Sequence, residues 1–269
     1  MQGEVVKFAE EWVRGTLSTP MTLPEESRYR RSMSAELTDP AALKRAAALR
    51  ALDFVEDGMK LGLGTGTTAE ALLQVLAPRI AGGLKIVATA TSKRTAELAR
   101  TLSIPLADLD TLAPLDLTID GADEADRTLT LIKGAGGALL REKIVAASSK
   151  RMIVIADSSK LVERLGRFPL PVEVETFGHG TTAARIVHVL DTMGYHRIPV
   201  VLRAPGGTPF ITDGGNLIYD CTLGAIDDAG ALGRALSDIP GVVEHGLFIG
   251  LASALVIAGE NGVETIEGT

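Results

Sequence analysis

The run Lys133-Gly134-Ala135-Gly136-Gly137, followed by Arg141-Glu142-Lys143, sets a lysine before a glycine turn and a carboxylate one helical turn beyond it. Glycines without Cβ atoms let backbone N–H groups come close to a ligand. The helix they open presents a partially positive end. Lys133 adds a full positive charge and Glu142 a base. Together they suit proton abstraction beside the carbonyl of an anionic substrate. Taken alone, Glu142 reads more simply as a solvated helical glutamate between Arg141 and Lys143.

Two further clusters carry polar chemistry. Gly64-Thr65-Gly66-Thr67-Thr68 has the form of a phosphate cradle, with a glycine-freed backbone and three hydroxyls at a helix start. It lacks the lysine of a Walker A loop and the third glycine of a dinucleotide fingerprint, so a tight turn capped by threonine explains it as well. Asp120-Gly121-Ala122-Asp123-Glu124 places two aspartates around a glycine bend. Such a pair can handle hydroxyl protons, but it also fits an Asx-turn, a helix cap or part of a magnesium site. Lys160, after Asp157-Ser158-Ser159, reads as a surface lysine or as a further cation. His179, His188, His196 and His245 show no metal-ligand spacing and read as structural or exposed. The prolines of Phe168-Pro169-Leu170-Pro171-Val172 fix an extended connector.

These clusters must be positioned by the elements around them. Asp39-Pro40 is an N-cap and first-turn proline, predicting an alanine-rich helix to about residue 55. Strands are predicted at 59–64, 84–90, 115–120 and 152–156, with helices at 67–76, 91–102 and 138–148 between them. The alternation indicates an α/β fold: a Rossmann-like parallel sheet with helices on both faces. Each polar cluster follows a strand, and open α/β sheets bind ligands beyond the carboxyl ends of their strands. From residue 170 the rhythm changes. Strands at 170–175, 198–202, 210–213, 217–221 and 242–249 and helices at 181–193 and 227–236 outline a smaller α+β lobe, ferredoxin-like in its β-α-β-β-α-β order. Asp213-Gly214-Gly215-Asn216 reads as a hairpin turn, and 254–258 with 263–266 as terminal strands. The expected organisation is a main domain of 39–169 with 250–269, a lobe of 170–249, and residues 1–38 as a non-native or disordered extension with Met33 as the natural start.

The 269-residue chain carries a net charge of −7, which argues against nucleic-acid binding through bulk electrostatics. A phosphorylated substrate then needs a locally positive site. A 4% aromatic content leaves the core to aliphatic side chains, as helices on a buried parallel sheet require. A single cysteine, Cys221, leaves no internal disulfide and disfavours a cysteine metal site. No apolar run approaches the ~20 residues of a membrane span, and no signal segment is evident, so the cytoplasm is expected.

The ordered set 64–68, 120–124, 133–143, 156–160, 168–174 and 212–220, continued by 241–248, resembles ribose-5-phosphate isomerase of the A type. The resemblance runs from about Leu43 to Ile266, with mild departures: Ala135 for a usual glycine, Gly137 where alanine is frequent and Thr67 where serine is common. It implies interconversion of D-ribose 5-phosphate and D-ribulose 5-phosphate through an enediolate, in the pentose phosphate pathway, with neither metal nor organic cofactor. It implies Glu142 as the base, Lys133 as a donor to the enediolate, and Asp120 and Asp123 as helpers in ring opening and proton shuttling. Thr65, Gly66, Thr67 and Thr68 hold the phosphate, with Lys160 and Lys44 adding charge, while Gly121, Ala122, Gly134, Ala135 and Gly136 complete the substrate site. A homodimer or dimer of dimers is implied, with no nucleic-acid or membrane partner. Two other readings compete. Coenzyme A transferases share the broad architecture, and Glu260-Asn261-Gly262 superficially matches their glutamate motif, although it sits in an expected hairpin. A non-catalytic sugar-phosphate sensor would need the cradle but not Lys133 and Glu142 together.

Overall fold

The computed structural model describes residues 39–268; the extension expected at 1–38 lies outside them. The helices are α1 (Pro40–Ala51), α2 (Thr67–Ala81), α3 (Lys93–Thr101), α4 (Leu109–Leu112), α5 (Leu139–Ala147), α6 (His179–Thr192) and α7 (Ala229–Ser237). The strands are β1 (Lys60–Leu63), β2 (Val87–Ala90), β3 (Leu117–Asp120), β4 (Glu124–Ala125), β5 (Leu131–Ile132), β6 (Met152–Asp157), β7 (Leu170–Val174), β8 (Val200–Leu202), β9 (Leu217–Cys221), β10 (Val242–His245), β11 (Leu247–Phe248), β12 (Ala254–Gly259) and β13 (Gly262–Glu267). Among them no helix is long and apolar enough to cross a membrane.

Six strands form the main sheet in the order β13-β12-β6-β3-β1-β2, parallel except for the β12–β13 hairpin. Strand alternation divides its side chains between two cores. Ile153, Ile155, Ala254 and Val256 join the core under α1 and α2, while Val154, Ala156, Leu255 and Ile257 pack on the opposite face. Aliphatic side chains on both faces exclude water, as a parallel sheet covered on both sides requires. The chain runs from β1 outward to β2, then returns to β3 on the other side of β1. Connections leaving β1 and β3 therefore diverge, opening a crevice at the switch point.

The second sheet is antiparallel, β10-β7-β9-β8, with α6 and α7 packed on one face. In lobe numbering this is strand order 4-1-3-2, the ferredoxin-like arrangement expected from the β-α-β-β-α-β sequence. Glu173 points away from that lobe core, opposite in alternation to Val172 and Val174.

Two expected strands are corrected. Residues 210–213 form no strand, because their groups bond elsewhere: the Phe210 N–H donates to the Arg203 carbonyl and the Thr212 N–H to that of Asn216. The expected strand 242–249 divides at Gly246 into β10 in the lobe and β11 in a small sheet, β11-β5-β4. A Cβ at Gly246 would fall on the Lys133 carbonyl oxygen, so glycine permits the crossing. The 91–102 helix also starts late, at Lys93, because the Ser92 hydroxyl accepts the Thr95 N–H as an N-cap.

Candidate active site

The cradle sits where β1 meets α2. Gly66 is the N-cap at φ +101°, a left-handed conformation that favours glycine. The first N–H groups of α2 have no intrahelical acceptor and form a positive end for an anion. The loop is propped from below: Thr65 Oγ1 lies 2.7 Å from Thr91 Oγ1, 2.9 Å from Ser92 Oγ and 3.2 Å from Thr95 Oγ1. Lys44, reaching across from α1, donates to Thr67 Oγ1 at 2.9 Å. Lys160 enters from the turn after β6, where Asp157 accepts the Ser159 N–H at 3.0 Å.

Beneath the cradle, Asp120 ends β3 and is fully buried. Its Oδ1 accepts N–H groups from Thr65 at 3.1 Å and Gly121 at 2.7 Å, and its Oδ2 lies 3.1 Å from Lys133 Nζ. Lys133 follows β5 and donates to the Gly121 carbonyl at 2.6 Å. Its Nζ is 3.4 Å from Glu142 Oε1, on the first turn of α5. Glu142 is 4% exposed, and its Oε2 has no protein partner among the described residues. One ammonium thus faces two buried carboxylates.

That stoichiometry sets the charges. Burial and the Asp120 charge push the Glu142 carboxyl up to about 8, and Lys133 only partly opposes them. Asp120 is also raised, chiefly by burial, while Lys133 and the two backbone donors favour its charged form. Burial works against the Lys133 charge, but Asp120, Glu142 and Asp123 outweigh it and hold the ammonium above the usual lysine range. Asp120 has the better hydrogen bonding of the two carboxylates, which favours its charged form over that of Glu142.

Gly64 shows how tightly the pieces fit, since a Cβ there would land on the Asp120 carboxylate. Gly64→Ala is expected to cost about 1–3 kcal/mol of stability from overpacking. Urea unfolding would read it, and an unchanged midpoint would refute the close contact.

A cavity of about 360 Å³ opens above these groups. It is lined by Lys44, Thr65, Gly66, Thr67, Thr68, Gly121, Ala122, Asp123, Lys133, Gly134, Ala135, Gly136, Glu142 and Lys160. Of the residues expected to bind or act on the substrate, Asp120 alone does not line it and lies behind Lys133. Asp123 does reach it, with Oδ2 accepting the Ala135 N–H at 2.8 Å. Arg94 also lines the cavity, paired with Glu70 at 2.5 Å, and was not singled out. Its only sequence signal, shared with Thr91, Ser92 and Thr95, is a position just beyond the carboxyl end of a strand. Glu124 belongs to the scaffold: its carboxylate accepts the N–H groups of Gly166 and Phe168, each at 2.7 Å. Glu260 and Asn261 form the exposed turn of the β12–β13 hairpin. Among the described residues no group of three or more His, Cys, Asp or Glu is placed to hold a metal ion.

A parallel sheet with an anion cradle at its switch point, and a carboxylate facing an ammonium beside it, defines an enzyme-like site for a small phosphorylated substrate. The family described as Ribose 5-phosphate isomerase A (phosphoriboisomerase A) matches residues 87–262. A relative from Nitrobacter hamburgensis, Ribose-5-phosphate isomerase A, is 55% identical over 226 residues, covering 84% of this chain and 97% of its own. The solved ribose 5-phosphate isomerase from Plasmodium falciparum is 37% identical, with a TM-score of 0.81 over 85% of this chain and 99% of its own. A solved D-ribose-5-phosphate isomerase in complex with phospho-erythronic acid is 35% identical, with a TM-score of 0.78 over 85% of this chain and 99% of its own. The chain belongs to the ribose 5-phosphate isomerase A family.

Proposed function

We propose that the chain interconverts D-ribose 5-phosphate and D-ribulose 5-phosphate through a cis-enediolate. The observation carrying this reading is the buried Glu142 carboxyl, with Oε2 unpartnered, facing Lys133 at the floor of a cavity that also holds the cradle at 65–68. The phosphate binds at the α2 N-terminus, where Lys44, Lys160 and Arg94 supply charge that the acidic chain lacks overall. Its binding energy positions C1 and C2, which are remote from the phosphate.

Glu142, as carboxylate, removes the proton from C2 of the open-chain aldose. The electron pair moves through the C1–C2 bond to O1, where Lys133 and the N–H groups of the glycine loop stabilise the charge. Asp123 transfers the O2 proton to O1, using the oxygen not engaged by Ala135. Glu142 returns its proton to C1 as the C2 carbonyl forms, and the reverse reaction uses the same groups. Asp120 holds Lys133 and the Thr65 turn rather than the sugar, in keeping with its burial.

The free enzyme must lose the Glu142 proton before it can act. Because that carboxyl is raised to about 8, kcat/KM should climb about tenfold per pH unit below that value and level off above it. A flat profile between about pH 6 and pH 9 would count against Glu142 as the base. The primary test is formation of ketose from ribose 5-phosphate by the purified chain in EDTA. Rapid turnover supports the reading. Binding without turnover would favour a sensor, and failure of both would direct attention to coenzyme A thioesters. The same reading includes a cytoplasmic enzyme acting as a homodimer or dimer of dimers, which light scattering of the full chain checks. It also includes the division into a main domain (39–169 with 250–269), a lobe (170–249) and an extension (1–38).

A further inference from the structure

The connection between β8 and β9, residues 203–216, leaves the lobe and lies against the glycine loop of the active site. Arg203 Nη1 donates to the carbonyls of Gly134 at 2.7 Å and Ala135 at 3.2 Å. The rest of its guanidinium is clamped by Asp220 on β9, through Nε at 2.9 Å and Nη2 at 2.5 Å. The side chain is only 14% exposed. Phe210 occupies the space where a Gly137 Cβ would stand. Behind it, the buried Glu173 accepts from Thr212 Oγ1 at 2.8 Å and Asn216 Nδ2 at 2.9 Å, which pins the connection to β7.

The consequence lies in the peptide planes. In a trans peptide the C=O and the following N–H point in opposite directions. With the Gly134 carbonyl on Arg203, the Ala135 N–H faces the other way and donates to Asp123. With the Ala135 carbonyl also on Arg203, the Gly136 N–H faces away from the lobe. Gly136 lines the cavity, and its N–H has no protein acceptor among the described residues. The Gly137 N–H also donates to the Gly134 carbonyl at 3.0 Å, but no backbone donor holds that of Ala135 among the described residues, and a loop with three glycines would sample other orientations there without Arg203. An arginine fork backed by a carboxylate is rigid enough to hold them.

We propose that Arg203 is a positioning residue for the isomerisation: from the lobe it fixes the glycine loop so that the Gly136 N–H meets the oxyanion forming at C1–C2. This rests on the isomerase reading and assigns part of that site's geometry to a residue outside the main sheet. Arg203 itself touches no substrate. Its loss should weaken stabilisation of the reacting oxygens while leaving the phosphate cradle at 65–68 intact.

The test compares wild type, Arg203→Gln and Arg203→Lys for turnover and for inhibition by phospho-erythronic acid and inorganic phosphate. The acid presents a carboxylate at the reacting end, whereas phosphate probes only the cradle. Arg203→Gln is expected to lower kcat by about tenfold to a hundredfold, below the ~10²–10³ of deleting an oxyanion donor outright because the Gly136 N–H is misdirected rather than removed. Its inhibition constant for phospho-erythronic acid should rise in step, while that for phosphate stays within about twofold, since the cradle donors are untouched. Arg203→Lys, which cannot span Asp220 and both carbonyls, should shift the same way by less. Wild-type kcat in both variants would overturn the proposal, as would equal weakening of both inhibitors, the mark of general loosening. If Arg203→Gln fails to fold, Arg203→Lys decides by the same ratio of inhibition constants. A wild-type chain that neither turns over ribose 5-phosphate nor binds the acid overturns the isomerase reading and this inference together. Normal wild-type turnover with unaffected variants overturns this inference alone.

Discussion

Glu142→Gln is expected to lower kcat for ribose 5-phosphate by at least about a hundredfold, the lower end of what positioned proton transfer contributes. Exchange of the substrate C2 hydrogen with solvent should be lost with it, because both need the same carboxylate. The cradle at 65–68, with Lys44 and Lys160, lies elsewhere in the cavity, so inhibition by inorganic phosphate should be unchanged. The variant should also be well folded, for a reason the charges supply. Glu142 is raised from an ordinary 4.5 to about 8, so between those values the folded protein holds a proton that the unfolded chain has released. The stabilisation linked to that proton is complete below 4.5 and is lost as pH rises through about 8. Glutamine is neutral throughout and nearly the same shape. The variant should therefore match wild type in urea below about pH 4.5, gain on it progressively between there and about pH 8, and keep that gain above it. Persistence of C2 exchange in Glu142→Gln would assign the proton transfer to another group.

How much of this could be read before folding depended on whether a residue's partner was local. The main sheet was legible because each strand is a short aliphatic run followed by Gly, Thr or Asp, as at Leu63-Gly64 and Asp120-Gly121. The cavity residues were legible for the same reason, since strand ends of a parallel sheet converge. The burial of Asp120 was not, because nothing in residues 120–124 tells which aspartate turns inward. That is decided by β3 alternation, which faces Ile119 to the α1 core and Asp120 toward Glu142. Likewise, Phe210 and Arg203 resemble strand-and-turn residues until a glycine loop about seventy positions away supplies the surface they cover. The split at Gly246 has the same origin: the apolar run is continuous, and only the Lys133 backbone requires the chain to change sheets there.

Lys133→Met should have an effect comparable to loss of the base, and for a different reason. Methionine keeps the aliphatic stem that packs beside Phe248, whose ring centroid is 5.4 Å from Nζ, but removes the ammonium. Asp120 and Glu142 are then left buried without their shared cation. Removing one partner from a buried ionic cluster costs about 3–5 kcal/mol, because the remaining charge stays desolvated. The carboxylates can escape that cost by taking up protons. Burial already raises both, and without Lys133 both move further up. For groups raised in the folded state, stability is retained at low pH and lost as pH rises through the folded value. The variant should therefore lie close to wild type in urea near about pH 5 and fall well below it near about pH 9. Turnover should drop by about a hundredfold or more at any pH, since Glu142 stays protonated and the enediolate loses its cation. A stability deficit that is the same at both pH values would mean that Lys133 acts through packing alone. The ion cluster would then not be what sets the charge of the base.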